Sequence, residues 1–411
     1  MNRQLSPSWT LAVLTGLNLF NYMDRAVLNA VRTPLADELH LNYNQSGLIA
    51  TAFMLGYFIT SPIFGYLGDR FSRKWLIAAG IFIWSLGTLL TGMASTFMIL
   101  LAFRVMVGVG EASYATISPG LISDTFDTKK RNNALTIFFL AIPVGYALGY
   151  IFGGRMAGAH GWRSAFIWAG APGLGLALIL LPFKEAVRGS KDPDGADNPH
   201  SIPKLADVIK LFSNPAYQLV VWGYVAYTFA LGAFSFWGPN FLEKIHGMSN
   251  ESATDYFGKM IVFTGLAGTV AGGFSATAWK KRNRAAYEWV LTLSILGAAP
   301  AAAYALWTPS RVQAMWFLGL AVFLLFLSNG PVNTLILETV SVNLRSSAMA
   351  LSIFMIHMFG DLWSQQIVGM VADRWNDLRM AVMILPVALV VGGLFWLALT
   401  IRTLRKPEPA V

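Results

Sequence analysis

Gly65-Tyr66-Leu67-Gly68-Asp69-Arg70-Phe71-Ser72-Arg73-Lys74 stands between two apolar blocks, and 208 residues later Gly273-Phe274-Ser275-Ala276-Thr277-Ala278-Trp279-Lys280-Lys281-Arg282 stands between two more. The second stretch keeps the opening glycine and the closing basic pair but has lost the aspartate. A shorter echo, Arg131-Asn132-Asn133-Ala134-Leu135 against Arg345-Ser346-Ser347-Ala348-Met349, recurs at an offset of 214. Nearly equal offsets at two places mean that the chain is built from two similar halves.

Each half divides into six apolar blocks. About 20 apolar residues suffice to carry a helix across roughly 30 Å of hydrocarbon. Such blocks fall at 8–33, 44–68, 74–94, 97–120, 131–156 and 162–183, then at 215–240, 252–278, 284–306, 311–335, 345–371 and 378–403. With 55% hydrophobic and 12% charged residues and a positive mean hydropathy, the chain lies far from the soluble average of about 25% charged. The sequence therefore predicts an all-α membrane protein of twelve transmembrane helices in two six-helix bundles, residues 1–183 and 215–411. The polar, turn-rich run 184–214 links them, with 204–212 patterned as an amphipathic surface helix. Two such repeats with a site between them is a common plan of secondary transporters.

A formal charge of +9 raises the question of nucleic acid, but the basic residues gather at block ends rather than on a soluble face. With both termini in the cytoplasm, twenty Lys and Arg fall inside and eight outside, which satisfies the positive-inside rule. No nucleic-acid partner is expected. The chain has no cysteine, so it has neither disulfides nor thiolate metal sites. No metal site and no cofactor are implied, and Gly-x-Ser-x-Gly, His-Glu-x-x-His and phosphate-loop patterns are missing, so the chain reads as no enzyme. The start of the chain lacks a cleavable leader pattern, and the first helix is expected to remain in the mature protein.

In the first half four charges lie well inside apolar blocks: Asp24 and Arg25 in the first, Arg104 and Glu111 in the fourth. Each costs about 2.5 to 3.5 kcal/mol in the bilayer centre, and residues kept there at that cost face partners, water or a substrate path. Arg104 and Glu111 are two helical turns apart and point the same way. At 1.5 Å per residue, Arg104 lies about 10 Å and Asp24 about 13 Å below the outer ends of their helices, so the depths allow an Asp24–Arg104 bridge. Arg25 is then left for Glu111 or for a substrate anion. A permanent bridge that only fixes packing is the rival reading, although buried bridges contribute little net stability. Carboxylates withdrawn from water make Asp24 and Glu111 the candidates for carrying protons, with Arg25 and Arg104 as charge partners or headgroup ligands.

Gly65 to Lys74 resembles the cytoplasmic signature Gly-x-Leu-x-Asp-Arg-x-x-Arg-Lys of the major facilitator superfamily. That resemblance implies its fold and a cytoplasmic gate formed by Gly65, Asp69, Arg70 and Arg73, with Gly65 permitting close helix approach. Three further segments narrow the likeness: Asn21-Tyr-Met-Asp24-Arg25, Gly108-Val-Gly-Glu111-Ala-Ser-Tyr114 onward, and His357-Met-Phe-Gly360-Asp361-Leu-Trp-Ser364 onward. Together they resemble the spinster family, whose members move lysophospholipids and sphingosine-1-phosphate. Gln365 stands where that family pattern has proline, which removes the reason for a kink there. Pro143 to Gly154 carries small residues four apart, a ridge for close helix contact that partly resembles an antiporter signature.

Cavity-lining candidates are Tyr114, Tyr227, Phe234, Trp237, Asn329 and Asn333. His357 and Asp361, one turn apart, are a candidate second proton site. The resemblance implies a proton-coupled transporter of a lipid-like amphiphile, working by alternating access as a monomer among membrane lipids in a bacterial inner membrane. A symporter of small organic anions such as sugar acids is the alternative, since related facilitators carry similar motifs in the first and fourth helices.

Overall fold

The computed structural model describes residues 6–179, 209–341 and 344–405. The expected amphipathic helix at 204–212 therefore lies mostly outside the described residues; its end appears as a single 3-10 turn, Lys210–Ser213. The chain divides into two compact units. Unit 1 is Met1–Pro199 with Met248–Lys259, and unit 2 is His200–Gly247 with Met260–Val411.

Unit 1 holds α1 (Pro7–Glu38), α2 (Tyr43–Arg70), α3 (Arg73–Thr91), α4 (Phe97–Thr125), α5 (Thr128–His160) and α6 (Trp162–Ile179). Unit 2 holds α7 (Pro215–His246), most of α8 (Asn250–Lys280), and α9 (Ala286–Trp307). Arg311–Phe326 and Asn329–Glu338 form α10; Arg345–Ile356, a π turn at His357–Asp361 and Leu362–Trp375 form α11; Leu378–Val382 and Ile384–Arg405 form α12. Among the described residues nine helices are long and apolar enough to cross a bilayer. The other three are α1, which carries Asp24, Arg25 and Arg32, α6, described only to Ile179, and α11, interrupted by its π turn.

Every apolar block became a helix, and most helices run past their block into polar caps. Ser6 accepts the Trp9 N–H before α1, and Asn42 and Gln45 close a capping box at α2. At the other end, α7 continues to His246 and stops at Gly247, whose φ of 65° favours glycine. Three breaks were not expected, one of them a single-residue interruption of α12 at Met383. The tenth block is interrupted at Leu327–Ser328, and the π turn in α11 inserts an extra residue ahead of Gln365. The missing proline thus did not leave α11 regular.

Within unit 1, α1 packs along α5, α2 along α4, and α3 along α4 and α6. Small residues make these contacts possible. Gly145, Gly149 and Gly153, on one face of α5, lie against Leu19, Met23 and Ala30 of α1 so closely that any Cβ would collide. This is the expected ridge, and its use is packing. Within unit 2, α7 and α9 both pack on α12, and the π turn of α11 packs on α7.

Candidate functional site

The glycine ridge of α5 fixes α1, and α1 projects Asp24 and Arg25 in different directions, because consecutive helical residues are about 100° apart. Gly108 and Gly110 fix α4 in the same manner. A Cβ on Gly108 would strike the Phe53 carbonyl of α2, and one on Gly110 the Trp84 backbone of α3. Glu111, the next residue, is held between these helices with no exposure.

Arg25 Nε donates to Glu111 Oε2 at 2.5 Å. Its guanidinium also lies 4.9 Å from the ring centroids of Tyr22 and Tyr57 and 5.0 Å from that of Phe53. The Arg104 guanidinium lies 5.2 Å from the centroid of the same Phe53 ring. Cation–ring contacts contribute about 0.5 to 2 kcal/mol each and replace part of the lost hydration. The Asp24–Arg104 bridge that the depths allow is not formed. Asp24 Oδ2 instead accepts the Thr88 hydroxyl of α3, and no ion pair joins Asp24 to Arg104 among the described residues. A fixed Asp24–Arg104 lock is thereby corrected, while the Arg25–Glu111 pairing is present.

Seven buried polar atoms of this cluster have no protein partner: both amide atoms of Asn21, Asp24 Oδ1, Arg25 Nη2, Arg104 Nε and Nη1, and Glu111 Oε1. The Asn21 amide faces Glu111 without closing a hydrogen bond of good geometry. Native interiors pair about 90% or more of such groups, and each unpaired one costs about 1 to 3 kcal/mol. So many together, with Asp24 3%, Arg104 1% and Glu111 0% exposed, do not serve stability. They leave donors and acceptors unsatisfied inside unit 1.

Tyr114 is not a lining residue. It is fully buried, its hydroxyl donates to the Leu14 carbonyl, and its ring meets Trp84 edge-on at 5.6 Å and Phe138 at 6.3 Å. It joins α4 to α1, α3 and α5. Trp237 is likewise an anchor, with no exposure and Nε1 donating to the Gln365 carbonyl at 3.0 Å. Phe234 and Trp237 border a small apolar pocket with Phe241, Leu318 and Leu385.

Elsewhere in unit 2, the break in α10 places Asn329 at the start of its second segment. Asn329 Oδ1 accepts the Tyr227 hydroxyl at 3.1 Å, and Asn333 Nδ2 donates to the Asn329 carbonyl at 2.8 Å. His357 Nδ1 lies 2.9 and 3.1 Å from the two Asp361 oxygens across the π turn, with side chains 31% and 19% exposed. Single π turns inside helices often mark functional positions.

In the motif between α2 and α3, the Asp69 side chain lies outside the described residues. Arg70 stacks over Tyr66 at 4.1 Å, while Arg73 is buried and pairs with Asp124 of α4 at 2.6 Å. Gly65 is not a close-contact glycine, because a Cβ there would meet only Thr116 Cγ2 at an ordinary 3.6 Å; Gly68 is the tighter position, 3.1 Å from Ile117. Asp124, Thr88 and Asn21 were not singled out from sequence. Ser85, Thr88 and Thr91, three apart in an apolar block, are the signal that a polar stripe on α3 would have given.

Residues 14–364 match the family model of the Major Facilitator Superfamily. The chain is 34% identical over 421 residues to protein spinster homolog 1 of Xenopus tropicalis, spanning 94% of this chain and 79% of that protein. It is 32% identical over 437 residues to the sphingosine-1-phosphate transporter SPNS2 of Danio rerio, spanning 98% and 86%. In fold it matches the crystal structure of a bacterial homolog of the human lysosomal transporter Spinster, inward-facing and unoccupied, with a TM-score of 0.91 at 24% identity over the whole of both chains. A D-xylose–proton symporter matches at 0.74 and 18% identity over 95% of this chain and 96% of that one. The fold and the incompletely paired intramembrane charges define a secondary transporter of the major facilitator class. Within that class the chain belongs to the spinster family.

Proposed function

We propose that the chain moves a lysophospholipid- or sphingosine-1-phosphate-like amphiphile by alternating access coupled to protons, with residues 1–183 and 215–411 acting as the two bundles and 184–214 as their cytoplasmic linker. The observation that carries the reading is the α1–α4 cluster, where Asp24, Arg104 and Glu111 are buried, Arg25 is partly buried, and seven polar atoms are unsatisfied. Arg25 and Arg104 offer N–H groups to a phosphate, for which guanidinium is well suited. Glu111 holds Arg25 while charged. A proton on Glu111 removes the attraction, and Arg25 turns to the anionic headgroup. Asp24 is the second proton carrier, and release of substrate restores the Arg25–Glu111 pair. His357–Asp361 is a further proton site in unit 2, and Tyr227, Asn329 and Asn333 supply neutral polar contacts there. Asp69, Arg70 and Arg73, with Gly65, act at the cytoplasmic gate. The protein works as a monomer in a bacterial inner membrane, with both termini in the cytoplasm.

The relative from Danio rerio is named as a sphingosine-1-phosphate transporter, which supports the substrate class. The deciding experiment is uptake of a lysolipid panel into proteoliposomes with and without an imposed pH gradient. Saturable uptake that the gradient accelerates, with product recovered intact and hexuronates failing to compete, is the expected result. Transport of hexuronates with lysolipids inert would overturn the lipid reading.

A further inference from the structure

Hydroxyls inside the helices of unit 1 mostly satisfy themselves. Thr60, Ser61, Thr91, Ser123 and Thr125 each donate to the carbonyl four residues back in their own helix, at 2.7 to 2.9 Å, a local arrangement that hides a hydroxyl from hydrocarbon. Thr88 departs from this pattern. It is fully buried on α3, and its Oγ1 donates across to Asp24 Oδ2 on α1. Arg104, at nearly the depth in α4 that Asp24 has in α1, forms no ion pair with it. Arg104 Nε and Nη1 and Asp24 Oδ1 are all left without a protein partner.

The geometry points to Thr88 as a positioning residue whose hydroxyl holds Asp24 away from Arg104 and so keeps Arg104 available to the anionic group of the substrate. The inference rests on the reading of the cluster as an anion site. A bare Asp24 beside Arg104 would form the stronger charge-assisted pair. The anion would then have to displace an internal carboxylate before it could bind. The Thr88 hydroxyl, by tying Oδ2 to α3, holds the whole carboxylate, its free Oδ1 included, out of pairing with Arg104 without removing the charge. Its role is therefore on substrate affinity and not on the turnover step.

Thr88→Val keeps the shape and removes the donor, while Thr88→Ser keeps the donor. Equilibrium binding to the purified full-length chain is measured with sphingosine-1-phosphate and, separately, with glucuronate. For whichever anion the unaltered protein binds, Thr88→Val should weaken binding about tenfold, raising KM with kcat unchanged, and Thr88→Ser should restore it. In an Asp24→Asn background, where no carboxylate can reach Arg104, adding Thr88→Val should change nothing. Binding of glucuronate but not of the lipid would remove the lipid reading and leave Thr88 tested on glucuronate. Equal affinity of the Thr88→Val and unaltered proteins overturns the inference for either ligand. Thermal unfolding in detergent supplies a readout that needs no ligand. Arg104→Gln should lower Tm more in the Thr88→Val background, where Arg104 has gained Asp24, than alone; additive shifts overturn the inference even if neither anion binds.

Discussion

Unit 1 and unit 2 repeat one plan, yet they bury polar groups in opposite ways. In unit 1, α1 and α4 run 32 and 29 residues without a break, and Asp24 and Arg25 sit on the first, Arg104 and Glu111 on the second. In unit 2, α10 is interrupted at Leu327–Ser328 and α11 by a π turn. There the polar groups at the irregularities are mostly neutral and bonded to each other, as in Tyr227–Asn329 and Asn329–Asn333, with His357–Asp361 the titratable exception. Among the described residues of unit 1, the one ion pair between these intramembrane charges, Arg25–Glu111, joins two unbroken helices that glycines hold close to their neighbours. A neutral hydroxyl or amide can use a backbone group instead, so unit 2 can afford broken helices. The difference separates a half whose charge-bearing helices are unbroken from one whose interrupted helices carry mostly neutral polar groups.

The comparison breaks first at Arg104. If unit 1 carries the headgroup, Arg104→Gln should reduce lysolipid uptake in proteoliposomes by about 100-fold, the loss of two charge-assisted hydrogen bonds. Uptake within twofold of normal would make the charge a packing element and unit 1 no different in kind from unit 2. Next come the carboxylates. Asp24→Asn and Glu111→Gln should each leave downhill movement measurable and abolish its acceleration by a pH gradient; undiminished acceleration in both would remove protons from unit 1.

The close packing itself is tested by glycine. Gly108→Ala drives a methyl into the α2 backbone and should cost about 1 to 3 kcal/mol, seen as a lower Tm in detergent. Gly273→Ala in unit 2, where a Cβ meets nothing within 4 Å, should leave Tm unchanged. Equal shifts would mean that the two units are packed alike. The smallest effect is expected at Tyr227→Phe, which removes one neutral hydrogen bond worth about 0.5 to 1.5 kcal/mol. A several-fold change in uptake KM is the expected reading, and a loss as large as that of Arg104→Gln would move the centre of binding into unit 2.

The contrast between the units was only half legible in the sequence. Twelve apolar blocks are hard to mistake, because a helix must be about 20 residues long to cross the bilayer and no shorter element satisfies its backbone there. Asp24, Arg25, Arg104 and Glu111 announce themselves by cost alone. Which of them pair did not follow, since the depth arithmetic places Asp24 near Arg104 but is blind to a threonine on a third helix. The hydroxyl of Thr88 adds almost nothing to a hydropathy profile, and neither does the break at Leu327–Ser328. Tyr114 was misplaced for a related reason, whereas Trp237, also an anchor, does border a pocket. Helical spacing shows that aromatics share a face, but only the neighbouring helices decide whether that face borders a cavity or another ring.

The ring cage of Arg25 has a consequence for speed. A guanidinium bound only to Glu111 would leave that carboxylate for nothing, and the pair would open slowly. Tyr22, Phe53 and Tyr57 surround the cation, so part of its stabilisation, about 0.5 to 2 kcal/mol for each ring, persists while it turns. The barrier to opening falls by whatever the rings retain. In the proposed cycle Arg25 would act as a catch that releases once per turnover, where the same ion pair without its rings would be a bolt.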